Sequence, residues 1–69
     1  MITKDGFTIE RGVWLTDDVN HELWEVSCID WGVIYITQVL INEDNPIDIE
    51  YRETFTIDKT DLKEHFSRR

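Results

Sequence analysis

The chain has 69 residues, with 7 Lys and Arg against 15 Asp and Glu and a formal net charge of −8. That length allows one small domain with a thin core. The charge argues against direct nucleic-acid binding, which works by neutralising phosphates with cations.

The acidity is uneven. Residues 1–58 have Lys4, Arg11 and Arg52 as their only cations, whereas residues 59–69 set Lys59, Lys63, Arg68 and Arg69 against Asp61 and Glu64. An acidic body with a basic end suits a basic protein partner, and equally a charged face that only keeps a small protein soluble. The opening "MITKDGFTIERG" lacks a basic start followed by an apolar run, so no secretory leader is expected. Apolar runs stay far below the ~18 residues of a membrane span. The lone cysteine, Cys28, permits no intrachain disulfide and fits a reducing compartment, so a cytoplasmic location is expected.

In chain order, Asp5-Gly6 predicts a two-residue type I′ hairpin turn joining Ile2–Lys4 to Phe7–Ile9. Gly12 turns the chain into a short strand, Val13–Thr16, with Val13 and Leu15 on one face and Trp14 on the other. "DDVN" is a polar break. The next strand, His21–Ile29, alternates Trp24, Val26 and Cys28 with Leu23, Glu25 and Ser27, which predicts a buried Trp24 and a Cys28 packed as a small hydrophobe. "DWG" is a turn. Val33–Ile41 is β-branched and aromatic on both faces and reads as the central strand.

"NEDNPIDIE" places Glu43, Asp44, Asp48 and Glu50 around Pro46, the chain's only proline, and reads as a Pro-bent loop feeding a strand. In that strand, Ile47–Ile57, alternation puts Ile49, Tyr51, Phe55 and Ile57 on one face, with Glu53 the exception. The period then changes. Asp58 is an N-cap, and Ile57 and Leu62 form a hydrophobic staple. Leu62 and Phe66 share a face of a helix over Lys59–Ser67, whose negative end lies near Lys63, Arg68 and Arg69.

About five strands with short connections and a terminal helix predict a mainly β fold, a small curled antiparallel barrel in a single domain over 1–69. "KDGFTIERGVWL" resembles the turn-and-strand opening of small phage and prophage proteins. "ELWEVSCID" followed by "VIYI" resembles the middle hairpin of SH3-like barrels. "FTIDKTDLKEHF" resembles the last strand and terminal helix of the same small proteins. The resemblance implies an SH3-like barrel and supplies no catalytic or ligand motif.

No enzymatic constellation stands out. The three glycines are far apart, so there is no phosphate loop. "DDVNHE" offers metal-ligand atoms without a recognisable spacing and reads as a solvated turn. "NEDNPIDIE" lacks the order of a calcium loop. A row of carboxylates imitating nucleic-acid phosphates begins with Asp48 and Glu50 and is broken by Arg52. Trp14 and Trp31 are the candidates for exposure, and an exposed Trp beside acids can anchor a basic partner.

The expectation is therefore a non-enzymatic protein-binding module without cofactor or metal. It would modulate a basic, nucleic-acid-handling host protein through Trp14, Trp31, Glu43, Asp44, Asp48 and Glu50. The alternatives are a nucleic-acid binder using the basic C-terminal helix and a subunit that self-associates through a free sheet edge.

Overall fold

The computed structural model describes residues 1–69. Five strands form one antiparallel sheet: β1 (Trp14–Asp17), β2 (Leu23–Asp30), β3 (Val33–Asn42), β4 (Asn45–Ile57) and β5 (Phe66–Arg68), with helix α1 (Lys59–His65) between the last two. The spatial order is β4-β3-β2-β1-β5, so β2 is the middle strand; β3, expected to be central from its two-faced apolar content, lies second from the edge, paired on both sides by β2 and β4. The mainly β class stands. The sheet does not close into a barrel, because β4 pairs only with β3 and β5 only with β1. With three residues, β5 is too short to reach β4 across the helix that separates them.

The inner face of the sheet holds the core. Leu15, Trp24, Val26, Ile34, Ile36 and Phe66 pack with Ile9 from the N-terminal segment and Leu62 from α1. Fully burying an aliphatic side chain of this kind contributes about 1.5–3 kcal/mol. Leu62 is completely buried and pins the helix. The capping box of Asp58 and Asp61 starts α1, satisfying N–H groups that the first turn leaves unpaired.

The helix ends at His65, earlier than expected. Phe66 is extended and pairs with Asp17, so it enters the core from a strand and not from a helical i, i+4 face. Burial of Phe66 satisfies the apolar pattern either way, and pairing "FSR" with β1 covers the β1 edge. Arg68 and Arg69 consequently leave the helix terminus. Their guanidinium groups lie over the rings of Phe7 (4.2 Å) and Trp14 (5.9 Å).

The N-terminal hairpin is reduced to one bridge, Ile2 to Thr8. Only Gly6 has a positive φ in its turn, whereas a type I′ turn needs two. The Gly6 N–H donates to the Thr3 carbonyl and the Thr3 N–H to the Phe7 carbonyl, giving a three-residue loop with glycine at its left-handed position. The Thr3 side chain, itself buried, accepts from the Phe7 N–H and donates to Asp5, which ties the loop shut.

Two bulges change which side chains face the core. In β2, Val26 opposes Ile36 and Cys28 opposes Tyr35, so Ser27 is an extra residue. Cys28 is thereby turned to the outer face and is exposed, contrary to the alternation-based expectation. In β4, Thr54 opposes Thr37 and Tyr51 opposes Val39, so Arg52 and Glu53 together face Gln38. Phe55 and Ile57 stay on the inner face opposite Ile36 and Ile34. Tyr51 and Ile49 move to the outer face opposite Val39 and Ile41, so the four residues do not share one face. On that outer face Val39 is buried between its cross-strand neighbours Leu23 and Tyr51.

Candidate functional site

Trp31 occupies the tip of the β2–β3 hairpin. Asp30 and Val33 pair across a two-residue turn in which Trp31 (φ 50°) and Gly32 (φ 79°) both adopt left-handed backbone. That geometry suits a tight hairpin and favours Asn-Gly; a bulky residue at the first position is strained. The side chain is 97% exposed and caps nothing. Ile29 and Val33 beside it are also exposed. Asp30 flanks the indole in sequence, and Asp58 and Asp61 share a shallow depression with Val33.

Trp14 has a different environment. It is half-buried on the outer face, where its indole N–H donates to Glu25 Oε1 at 2.9 Å. The Tyr51 hydroxyl donates to the same oxygen at 3.2 Å. Burial, followed by the nearby Glu25 charge, raises the Tyr51 pKa above its ordinary value. Of the two candidate tryptophans, Trp31 alone is freely presented.

Glu43 and Asp44 form the β3–β4 turn, opposite the Trp31 tip along β3. Ten residues of strand separate the two ends, a span of about 30 Å. The turn is closed by the Asp44 N–H donating to the Asn42 side chain at 2.9 Å. Asn42 pairs with Asn45 and Ile41 with Ile49, so Pro46, Ile47 and Asp48 form a bulged insertion inside β4, which begins at Asn45 and not at the expected Ile47. Pro46 is accommodated because the bulged segment makes no ladder bonds there. Ile47 is left 88% exposed beside these acids. Glu50 forms an exposed ion pair with Arg52 at 3.3 Å. The fold thus groups Glu43, Asp44, Asp48 and Glu50 at one end and holds Trp31 at the other.

Two of the three "DDVNHE" acids, Asp17 and Asp18, are engaged within the protein. Asp17 ends β1 and is buried, where a solvated break was expected. It accepts from Trp24 Nε1 at 2.8 Å and from the N–H groups of Val19, Asn20 and Glu22. Burial pushes its carboxyl upward, but the indole and the three N–H donors outweigh this and hold it below the usual carboxylate range. The Lys4 ammonium beside Asp18, at 2.9 Å, lowers that carboxyl, aided by His65. No group of three or more His, Cys, Asp or Glu side chains converges as a metal site.

A groove of about 670 Å³ opens on the inner face between β4, the Asp17–Glu22 loop and the end of α1. Its floor is aromatic: Phe55 is 49% exposed and stands edge-on to Trp24, with centroids 5.7 Å apart. Glu22, Glu53, Arg52 and His65 line it. Sequence alternation assigns Phe55 to the core, so nothing in the strand pattern marks it as a surface residue.

No helix is long and apolar enough to cross a membrane. Comparison with family models, characterised proteins and solved structures finds no match.

Proposed function

We propose that this chain is a small acidic protein-binding module of SH3-like build, without catalytic activity, that engages a basic partner. The observation that carries the reading is Trp31, a fully presented indole held in strained backbone at a hairpin tip. Strain of this kind persists where a side chain's placement matters more than the comfort of its backbone. Trp at an interface supplies a large rigid contact surface and a face for Lys or Arg. The meander followed by a short helix and a strand that returns beside β1 supports the SH3-like reading of the fold.

Trp31 with Ile29, Val33 and Asp30 is the anchor. Glu43, Asp44, Asp48 and Glu50, at the far end, steer a cationic partner, with Trp14 between them on the outer face. The partner class that fits is a basic, nucleic-acid-handling protein of a bacterial host in the cytoplasm, with the module in a phage or prophage setting. Direct nucleic-acid binding by the C-terminal cations is the weaker reading. Arg68 and Arg69 lie over aromatic rings and Lys4 and Arg52 are paired with acids, which leaves few free cations for phosphates.

The test is a bait experiment in bacterial lysate at low and moderate salt, comparing the parent with a Glu43→Lys, Asp44→Lys variant. The parent should retain a basic protein that is lost as salt rises. The variant should associate more slowly and with weaker salt dependence. Equal retention by both would remove the electrostatic part of the proposal.

A further inference from the structure

The two edges of the sheet are treated differently. The β5 edge is capped: the Lys4 N–H donates to the Phe66 carbonyl at 2.7 Å, and the Arg68 N–H donates to Asp5 Oδ1 at 3.3 Å. The β4 edge is bare. β4 is the longest strand, at 13 residues, and every residue from Asn45 to Thr56 is exposed. It pairs with β3 on one side only. None of the eleven backbone hydrogen bonds made outside helices and strands involves a β4 residue. A row of backbone donors and acceptors on a long open edge is a template for another strand. The Phe55–Trp24 groove opens beside this same edge, at Arg52, Glu53, Phe55, Thr56 and Ile57.

Charge selects the occupant. β4 carries Asp48, Glu50 and Glu53 against Arg52, a net of −2. Two copies paired edge to edge would bring −2 against −2, and each copy carries −8 overall. Pro46 and the two bulges of β4 further blunt self-pairing. An extended cationic segment meets no such penalty. It would neutralise Asp48, Glu50 and Glu53 while alternate side chains fall on the inner face, above the half-exposed ring of Phe55.

We infer that the open edge of β4, with the aromatic groove beside it, receives an extended basic segment of the protein partner by strand addition. This inference rests on the reading that the partner is a basic protein, and it names the mode of engagement. Main-chain hydrogen bonds to β4 supply affinity. The groove favours an Arg, Lys or apolar side chain at alternate positions of the segment.

The test uses the full chain and two synthetic probes of the same charge: a short peptide alternating Arg with Val, and the same peptide N-methylated at successive backbone nitrogens so that neither of its edges can complete a ladder. Amide shifts and affinity are read by NMR titration, with a Glu–Val peptide as the charge control. Strand addition gives shifts along residues 49–57 with the unmodified peptide, at least about tenfold weaker binding of the methylated one, and none of the acidic one. Equal binding of the two cationic peptides would overturn strand addition and leave the basic-partner reading intact. Failure of both to bind would overturn the inference, and the lysate experiment then decides the wider reading separately. A dimer in sedimentation that the Arg–Val peptide does not dissociate would assign the edge to a second copy and also overturn it.

Discussion

Asp17 Oδ2 accepts the indole N–H of Trp24 at 2.8 Å, and both residues are buried. This one contact joins the end of β1 to the middle of the core and fixes the loop that walls the groove. The same carboxylate takes the N–H groups of Val19, Asn20 and Glu22, so one side chain organises the whole turn into β2. Asp17→Ala strands the indole and three backbone donors. A loss of about 2–4 kcal/mol is expected from urea unfolding. Trp24→Phe leaves the turn donors paired and should cost less. A double-mutant cycle should show coupling of about 0.5–3 kcal/mol between the two sites; additivity within error would mean that the contact is not a stabilising one.

The depressed Asp17 carboxyl gives stability a direction with pH. Its folded pKa lies below the unfolded value of about 3.9. Its contribution is therefore fully present above that unfolded value and is lost as pH falls through the folded pKa. Asp5 and Asp18 are also lowered and act in the same direction. The informative quantity is accordingly the stability difference between the parent and Asp17→Ala. It should be constant near neutral pH and shrink in acid. A difference that grows in acid would contradict the assignment.

Trp31 should be better for binding than for folding. Trp31→Asn places Asn-Gly in a turn whose backbone is already left-handed at both positions. Stability should rise by about 1 kcal/mol, read as a higher denaturant midpoint with an unchanged slope. Partner retention should fall in the same variant. A destabilised Trp31→Asn would mean that the indole packs on the protein.

Cys28 should react with a maleimide in the folded protein at the rate of an open thiol, because the Ser27 bulge turns it outward. Labelling that waits for unfolding would place it in the core instead and would put the bulge in the wrong position.

The strand pattern carries most of the architecture. β2 and β3 are legible from alternation and β-branched content, Asp58 from its capping chemistry, and burial of Trp24 from its phase. What escapes is phase error. One extra residue at Ser27 reverses Cys28, and another at Arg52–Glu53 separates Tyr51 from Phe55. A bulge needs no special residue when its unpaired groups can reach water, so neither leaves a signature that period-two reading detects. β5 escapes for another reason: "HFSRR" continues a helical pattern as well as it makes an edge strand, and only pairing with β1 decides between them. Asp17 is hidden because a buried acid and a solvated one look alike until their donors are placed. Exposure of Trp31 follows from the turn, whereas exposure of Phe55 depends on the sheet staying open beside it.

The most direct measurement compares wild-type and Trp31→Ala baits in the same bacterial lysate, at low and at moderate salt, with mass spectrometry of the retained proteins. The expected result is a basic protein held by the wild type at low salt, released as salt rises, and absent from the Trp31→Ala bait. Identical retention by both baits, or no retention by the wild type at either salt, would contradict the claim that Trp31 anchors a basic partner.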